Sequence, residues 1–192
     1  MILKICNRIV AYAGLTEEQS EIFKYITQCF IEKMVVFVTI LIYGYLRNCT
    51  IYAITFYFLC TVIRKHSGGF HMDTFLKCYI TSVLLVVGAV ELNKFFDIRE
   101  IFMIIFIINL ISAALIMIIG CVNNPEMDMT FDEYQYNKTQ TRQTMIIVEV
   151  ILTVCIFLKV KKTYIILLCY AVICCAFFLI LAKVVEHKNN DN

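Results

Sequence analysis

Two stretches of this chain, residues 101–122 and 163–182, run for twenty residues or more without a charged side chain. About 20 apolar residues in a helix cross the roughly 30 Å hydrocarbon layer of a bilayer. Four shorter apolar stretches accompany them, at 34–46, 49–63, 78–90 and 144–158, the last interrupted only by Glu149. A soluble fold of 192 residues could not hide this much apolar surface: 61% of the residues are hydrophobic and 17% charged, against about 45–50% and 25% in ordinary globular domains. The pattern predicts an all-α integral membrane protein with about six transmembrane helices. The two at 34–46 and 49–63 are short enough to form a re-entrant hairpin, which leaves four crossings plus a hairpin as the second topology.

The first thirty residues interleave Lys4, Arg8, Glu17, Glu18, Glu21 and Lys24 with apolar positions, so no uninterrupted signal-peptide core is present. Ile22, Phe23, Ile26 and Phe30 recur at helical spacing. That favours an amphipathic helix at the membrane surface, within a segment 1–32 on the cytoplasmic face. With six crossings and the N-terminus inside, eleven Lys and Arg face the cytoplasm: Lys4, Arg8, Lys24, Lys33, Arg64, Lys65, Lys77, Lys138, Arg142, Lys183 and Lys188. Six face outward: Arg47, Lys94, Arg99, Lys159, Lys161 and Lys162. The positive-inside rule then places both termini in the cytoplasm of a multi-pass cell-membrane protein. Two polar segments, 64–78 and 123–143, face the same side, and 187–192 reads as a tail. The whole chain reads as a single membrane-embedded domain.

Net charge is +2, with no basic run interleaved with aromatics, so nucleic-acid binding has no support. Ten cysteines are present, without a C-x-x-C spacing, and most lie in apolar stretches where a free thiol packs as a small hydrophobe. A zinc site and a disulfide framework are both disfavoured. With three histidines and no H-E-x-x-H, a metal-dependent protease is disfavoured as well; no metal and no cofactor are expected.

The segment Arg64-Lys-His-Ser-Gly-Gly-Phe-His-Met-Asp-Thr-Phe-Leu-Lys-Cys78 carries the chemistry. Gly68 and Gly69 interrupt a helical, apolar chain and permit a sharp turn. Asp73 or Thr74 can cap a helix continuing through Cys78 and Ser82. Cys78 then lies near a helix N-terminus, with Lys77 and Arg64 close in sequence, where a thiolate is favoured. On one straight helix His71 and Cys78 would be roughly 10 Å apart along the axis, too far for proton transfer. Their cooperation requires the glycine turn to fold His71 back toward the helix start, giving a Cys/His activated nucleophile.

The run Arg64-x-x-x-Gly68-Gly69-Phe70-His71, followed by Cys78 and Ser82, resembles the signature of the AgrB family, the accessory gene regulator B peptidases of Gram-positive quorum sensing. The resemblance implies that Cys78 is the nucleophile and His71 its general base. It also implies that Arg64, Gly68 and Gly69 are structural or substrate-orienting, and that the substrate is an AgrD-like propeptide. The tail of that peptide would leave through an acyl-thioester on Cys78, and ring closure would give a thiolactone or lactone. A homodimer is implied too. Arg64, Lys65, Lys77, Lys138 and Arg142 stand as groups for an acidic substrate tail, although the second polar loop is itself acidic. Ser82, one turn beyond Cys78, can line the site. A third catalytic group is open between Asp73 and Glu149, and His66 is a second base. The competing reading is a non-enzymatic peptide transporter or export subunit, with Glu91, Asn109 and Glu149 lining a polar path.

Overall fold

The computed structural model describes residues 16–67, 75–95, 98–123 and 129–190. The described residues form six helices and no strand: α1 (Glu17–Leu46), α2 (Thr50–Ser67), α3 (Phe75–Phe95), α4 (Ile98–Ile119), α5 (Phe131–Phe157) and α6 (Lys162–Asn190). Among the described residues, four stretches are long and apolar enough to cross a membrane: Phe75–Asn93, Phe102–Ile119, Phe131–Phe157 and Lys162–Glu186. The protein is therefore an all-α membrane protein. α2, with 18 residues, is about 27 Å long and ends in Arg64, Lys65 and His66.

The chain divides into two units, residues 1–39 and 40–192. In the first, Thr16 starts α1 with a capping box: its hydroxyl accepts from the Gln19 N–H (3.4 Å), and the Gln19 carbonyl oxygen accepts from the Thr16 N–H (3.2 Å). The sequence reading separates an amphipathic helix from a span beginning at residue 34, whereas α1 runs unbroken from Glu17 to Leu46. Glu32 and Lys33 interrupt the apolar run but are good helix formers, and no glycine or proline stops the helix there.

In the second unit α6 is the central helix. More than half of its span is buried, against less than a third for each of the other three. Toward its C-terminal half, Val172, Cys175, Ala176 and Leu179 pack with Ile63 of α2, Ile116 of α4 and Met145 of α5. Toward its start, Ile165, Ile166 and Cys169 pack with Ile105 of α4 and Leu152 of α5. The outward faces are equally apolar: Met103, Ile107 and Ile111 of α4 and Ile147, Val150 and Val154 of α5 are all exposed. Such rows are expected where lipid, not water, is the solvent.

Two tight turns reverse the chain, and a glycine ends α4. After α1, Asn48 adopts positive φ (52°). The Cys49 N–H then donates to the Gly44 carbonyl (2.8 Å) and the Asn48 N–H to that of Tyr45 (3.2 Å), the Schellman pattern. After α5, Lys159 (φ 55°) repeats the pattern, with Val160 donating to Cys155 and Lys159 to Ile156. After α4, Gly120 (φ 76°) ends the helix by donating to Ile116 (2.7 Å). Gly44 is required for another reason: a Cβ there would sit 2.7 Å from the Thr50 Cα, so the chain reverses with backbone against backbone.

The polar segment 123–143 is not a loop throughout, because α5 begins at Phe131. Thr130 caps it: its hydroxyl accepts from the Glu133 N–H, and the Glu133 carboxylate accepts from the Thr130 N–H. Charge density marks this stretch as polar, but Thr-x-x-Glu is a helix-start signal, and the first turns of α5 carry those charges.

Candidate functional site

The end of α2 is tied down residue by residue. The Arg64 guanidinium lies over the Phe178 ring of α6, 5.5 Å from its centroid. Lys65 is exposed. His66 is half-buried, its Nδ1 3.2 Å from Asn137 Oδ1 and its ring edge-on to Tyr136 at 6.3 Å. The sequence reading weighs His66 as a second base; in the structure its ring is engaged by α5. Ser67 is buried, its hydroxyl donating to the Ile63 carbonyl (3.1 Å) while its own carbonyl accepts from the Val122 N–H (3.2 Å). Gly68, Gly69, His71 and Asp73 lie outside the described residues.

α3 opens at Phe75, so Cys78 is its fourth residue and falls in the first turn. Lys77 is exposed; Cys78 and Ser82 are half-buried, four residues apart on one helical face. Cys78 is a free thiol. Cys49, Cys121, Cys169 and Cys175 are buried, and burial raises the Cys121 thiol pKa above its ordinary value, which keeps it protonated. Cys60, Cys155 and Cys174 are partly buried within helices. Among the described cysteines, Cys78 alone joins partial exposure to a place in the first turn of a helix. Tyr57 of α2 lies within electrostatic reach of its sulfur. Sequence reasoning missed this tyrosine, because no local pattern pairs residue 57 with residue 78; only the packing of α2 on α3 does.

The remaining polar groups fall in three places. Arg142 Nε donates to the Met117 carbonyl (3.0 Å) near the end of α4, where a cation is favoured. Lys138 lies over the Tyr134 ring, 5.8 Å from its centroid. Arg142 thus ties α5 to α4 at this end of the bundle, while the Lys138 contact stays within α5. Glu149 sits within α5, where both carboxylate oxygens accept from Asn109 Nδ2 at 3.1 and 3.3 Å, with Cys169 of α6 nearby. Its partners come from α4 and α6 rather than from α3. Glu91 faces the opposite end of the bundle, where it accepts from Tyr43 and pairs with Arg47 through two bonds of 3.1 Å. Among the described residues no group of His, Cys, Asp and Glu is arranged to hold a metal.

Comparison with known proteins adds the last element. Residues 2–181 match the family model of Accessory gene regulator B. An AgrB-like protein of Clostridium perfringens strain SM101 is 26% identical over 105 residues, covering 54% of this chain and 49% of the relative. AgrB-like protein 2 of Clostridium perfringens strain 13 is 25% identical over the same shares. The chain thus spans about half the length of the relatives it matches. No solved structure matches it. With the family model covering nearly all of a six-helix membrane chain, the protein belongs to the Accessory gene regulator B (AgrB) family.

Proposed function

We propose that this chain is a membrane cysteine endopeptidase that matures a quorum-sensing propeptide of the AgrD type, with Cys78 as nucleophile and His71 as general base. The observation that carries the reading is the place of Cys78: a free, partly exposed thiol in the first turn of α3, behind the Arg64-x-x-x-Gly68-Gly69-Phe70-His71 run. Unpaired N–H groups at a helix start can face negative charge that develops on a reacting carbonyl beside them.

His71 takes the thiol proton as the sulfur attacks the scissile carbonyl. It returns that proton to the departing amine of the C-terminal tail, leaving the rest of the peptide as a thioester on Cys78. An internal cysteine or serine of the peptide then gives up its proton to His71 and displaces Cys78, closing a thiolactone or lactone. Closure by a cysteine exchanges one thioester for another, and closure by a serine exchanges the thioester for an ester, with the Cys78 sulfur leaving in both cases. Lys65 and Lys77, both exposed, are assigned to the acidic tail, with Arg64, Gly68, Gly69 and Ser82 shaping the site and Asp73 orienting His71. Cytoplasmic termini and a homodimer complete the proposal.

The test is cleavage of a co-reconstituted AgrD-like propeptide. Cys78→Ala and His71→Ala should each abolish tail release while the protein still inserts. Cleavage that persists in Cys78→Ala removes the assignment.

One observation favours a second reading, an export subunit. Asn109 and Glu149 form a polar pair inside two membrane-spanning helices, and intramembrane ionisable groups mark transport paths. Glu149→Gln decides it: lost export of the processed peptide with intact cleavage supports transport, and unchanged export excludes it.

A further inference from the structure

We infer that His66 and Asn137 are a positioning pair, through which the second polar loop and the start of α5 fix the end of α2, the helix that precedes the nucleophile's own in the chain. The inference rests on the peptidase reading above. Its basis is a closed circuit of contacts. The Val122 N–H holds the Ser67 carbonyl at 3.2 Å, satisfying an acceptor that the end of α2 leaves open. The next residue, Asn123, grips Met129 twice: Asn123 Oδ1 accepts from the Met129 N–H (3.1 Å), and Asn123 Nδ2 donates to the Met129 carbonyl (3.4 Å). The Met129 sulfur accepts from Asn137 Nδ2 at 3.3 Å. Asn137 Oδ1 meets His66 Nδ1 at 3.2 Å, and His66 adjoins Ser67, where the circuit began.

The circuit fixes the chemistry of its members. Because the Asn137 amide nitrogen faces sulfur, its oxygen faces His66, and an oxygen acceptor requires a hydrogen on Nδ1. A ring held at Nδ1 and packed edge-on to Tyr136 is braced, which suits a positioning residue better than a proton carrier that must exchange protons with substrate. In sequence the last turn of α2 runs into the signature segment that precedes Cys78, so a loosened His66 is passed on to the chain that leads to the nucleophile.

The experiment uses the full chain in proteoliposomes with the propeptide, comparing Asn137→Ala, Asn137→Asp and His66→Gln with the wild type. Asn137→Ala should lower turnover at saturating propeptide about tenfold with KM within about twofold, the scale of one lost hydrogen bond acting on orientation. Asn137→Asp keeps an acceptor oxygen for His66 and should restore turnover to within about threefold. His66→Gln keeps a donor and should retain measurable turnover. In parallel, brief trypsin treatment should cut after Lys65 faster in Asn137→Ala than in wild type, since the last turn of α2 is no longer held.

Unchanged turnover in Asn137→Ala overturns the inference, as does an Asn137→Asp variant no better than the alanine one. Complete loss of turnover in His66→Gln identifies His66 as a proton carrier and overturns it too. Unaltered protection of Lys65 overturns the anchoring itself, whatever the turnover. A failure of the peptidase reading is seen separately, as cleavage that survives Cys78→Ala, and the trypsin result still decides whether the anchor exists.

Discussion

The two ends of the 40–192 unit are built on different principles. At one end the chain reverses through Asn48 and Lys159 in near-identical Schellman turns. Short-range packing closes that end: Tyr52 on Tyr164 with centroids 4.7 Å apart, Asn93 donating to the Thr163 carbonyl at 3.0 Å, and Lys162 over Phe102 at 5.2 Å. At the other end the connections are longer and side chains hold backbone: Arg142 of α5 on Met117 of α4, and Asn123 on Met129 within the connection between those helices, with Val122 on Ser67 joining backbone to backbone. A turn closed by its own backbone leaves little room for a site. A long connection held by side chains can carry reactive groups and still keep their geometry. Arg64, Lys77 and Cys78 belong to the second kind of end.

The sharpest way to break this contrast is at Cys78. Cys78→Ser should lose about a thousandfold or more in propeptide cleavage, with unchanged thermal unfolding in detergent. An equal loss from a substitution at the tight-turn end, in protein folded to the same extent, would show that the two ends do not divide labour.

Gly44→Ala probes the opposite end. Its Cβ would meet backbone at Thr50, and overpacking of this kind costs about 1–3 kcal/mol. The midpoint of unfolding should fall while turnover per folded molecule holds. Thr130→Ala is its counterpart at the loop end: loss of the cap costs about 1 kcal/mol. Because Thr130 leads into the helix that carries Asn137, turnover should fall along with stability. A Thr130→Ala enzyme that unfolds earlier yet turns over normally would break the link between that end and catalysis.

What was legible in the sequence follows from what apolar runs and caps encode locally. The runs at 101–122 and 163–182 appear as Phe102–Ile119 and Lys162–Glu186, because bilayer thickness sets one length for both. The charge-free run at 78–90 lies inside the longer α3, Phe75–Phe95, since a lysine such as Lys77 can reach the interface from within a helix. α5 takes in half of a segment that reads as loop, because charged residues are good helix formers and hydropathy does not register this. Cys78 stood out through its neighbours in sequence. Tyr57 and Asn137 did not, because their relation to the site comes only from packing between helices distant in sequence. Glu149 and Asn109 did stand out, as polar groups inside apolar runs, but the bond between them, forty residues apart, is set only by that packing.

The smallest effect tests whether the tight-turn end is governed by backbone alone. Lys159 holds a left-handed conformation (φ 55°) that costs an L-residue about 1–2 kcal/mol relative to glycine. Asn48 holds nearly the same φ (52°), but asparagine tolerates that region. Lys159→Gly should therefore stabilise the protein by about 0.5–1 kcal/mol after the entropy that glycine adds to the unfolded chain is subtracted, and Asn48→Gly by less. Neither should alter propeptide cleavage. Differential unfolding of the two variants in the same detergent checks the order. If Asn48→Gly gained more than Lys159→Gly, the side chain of Lys159 would be contributing to that turn, and closure there would not be the work of backbone geometry alone.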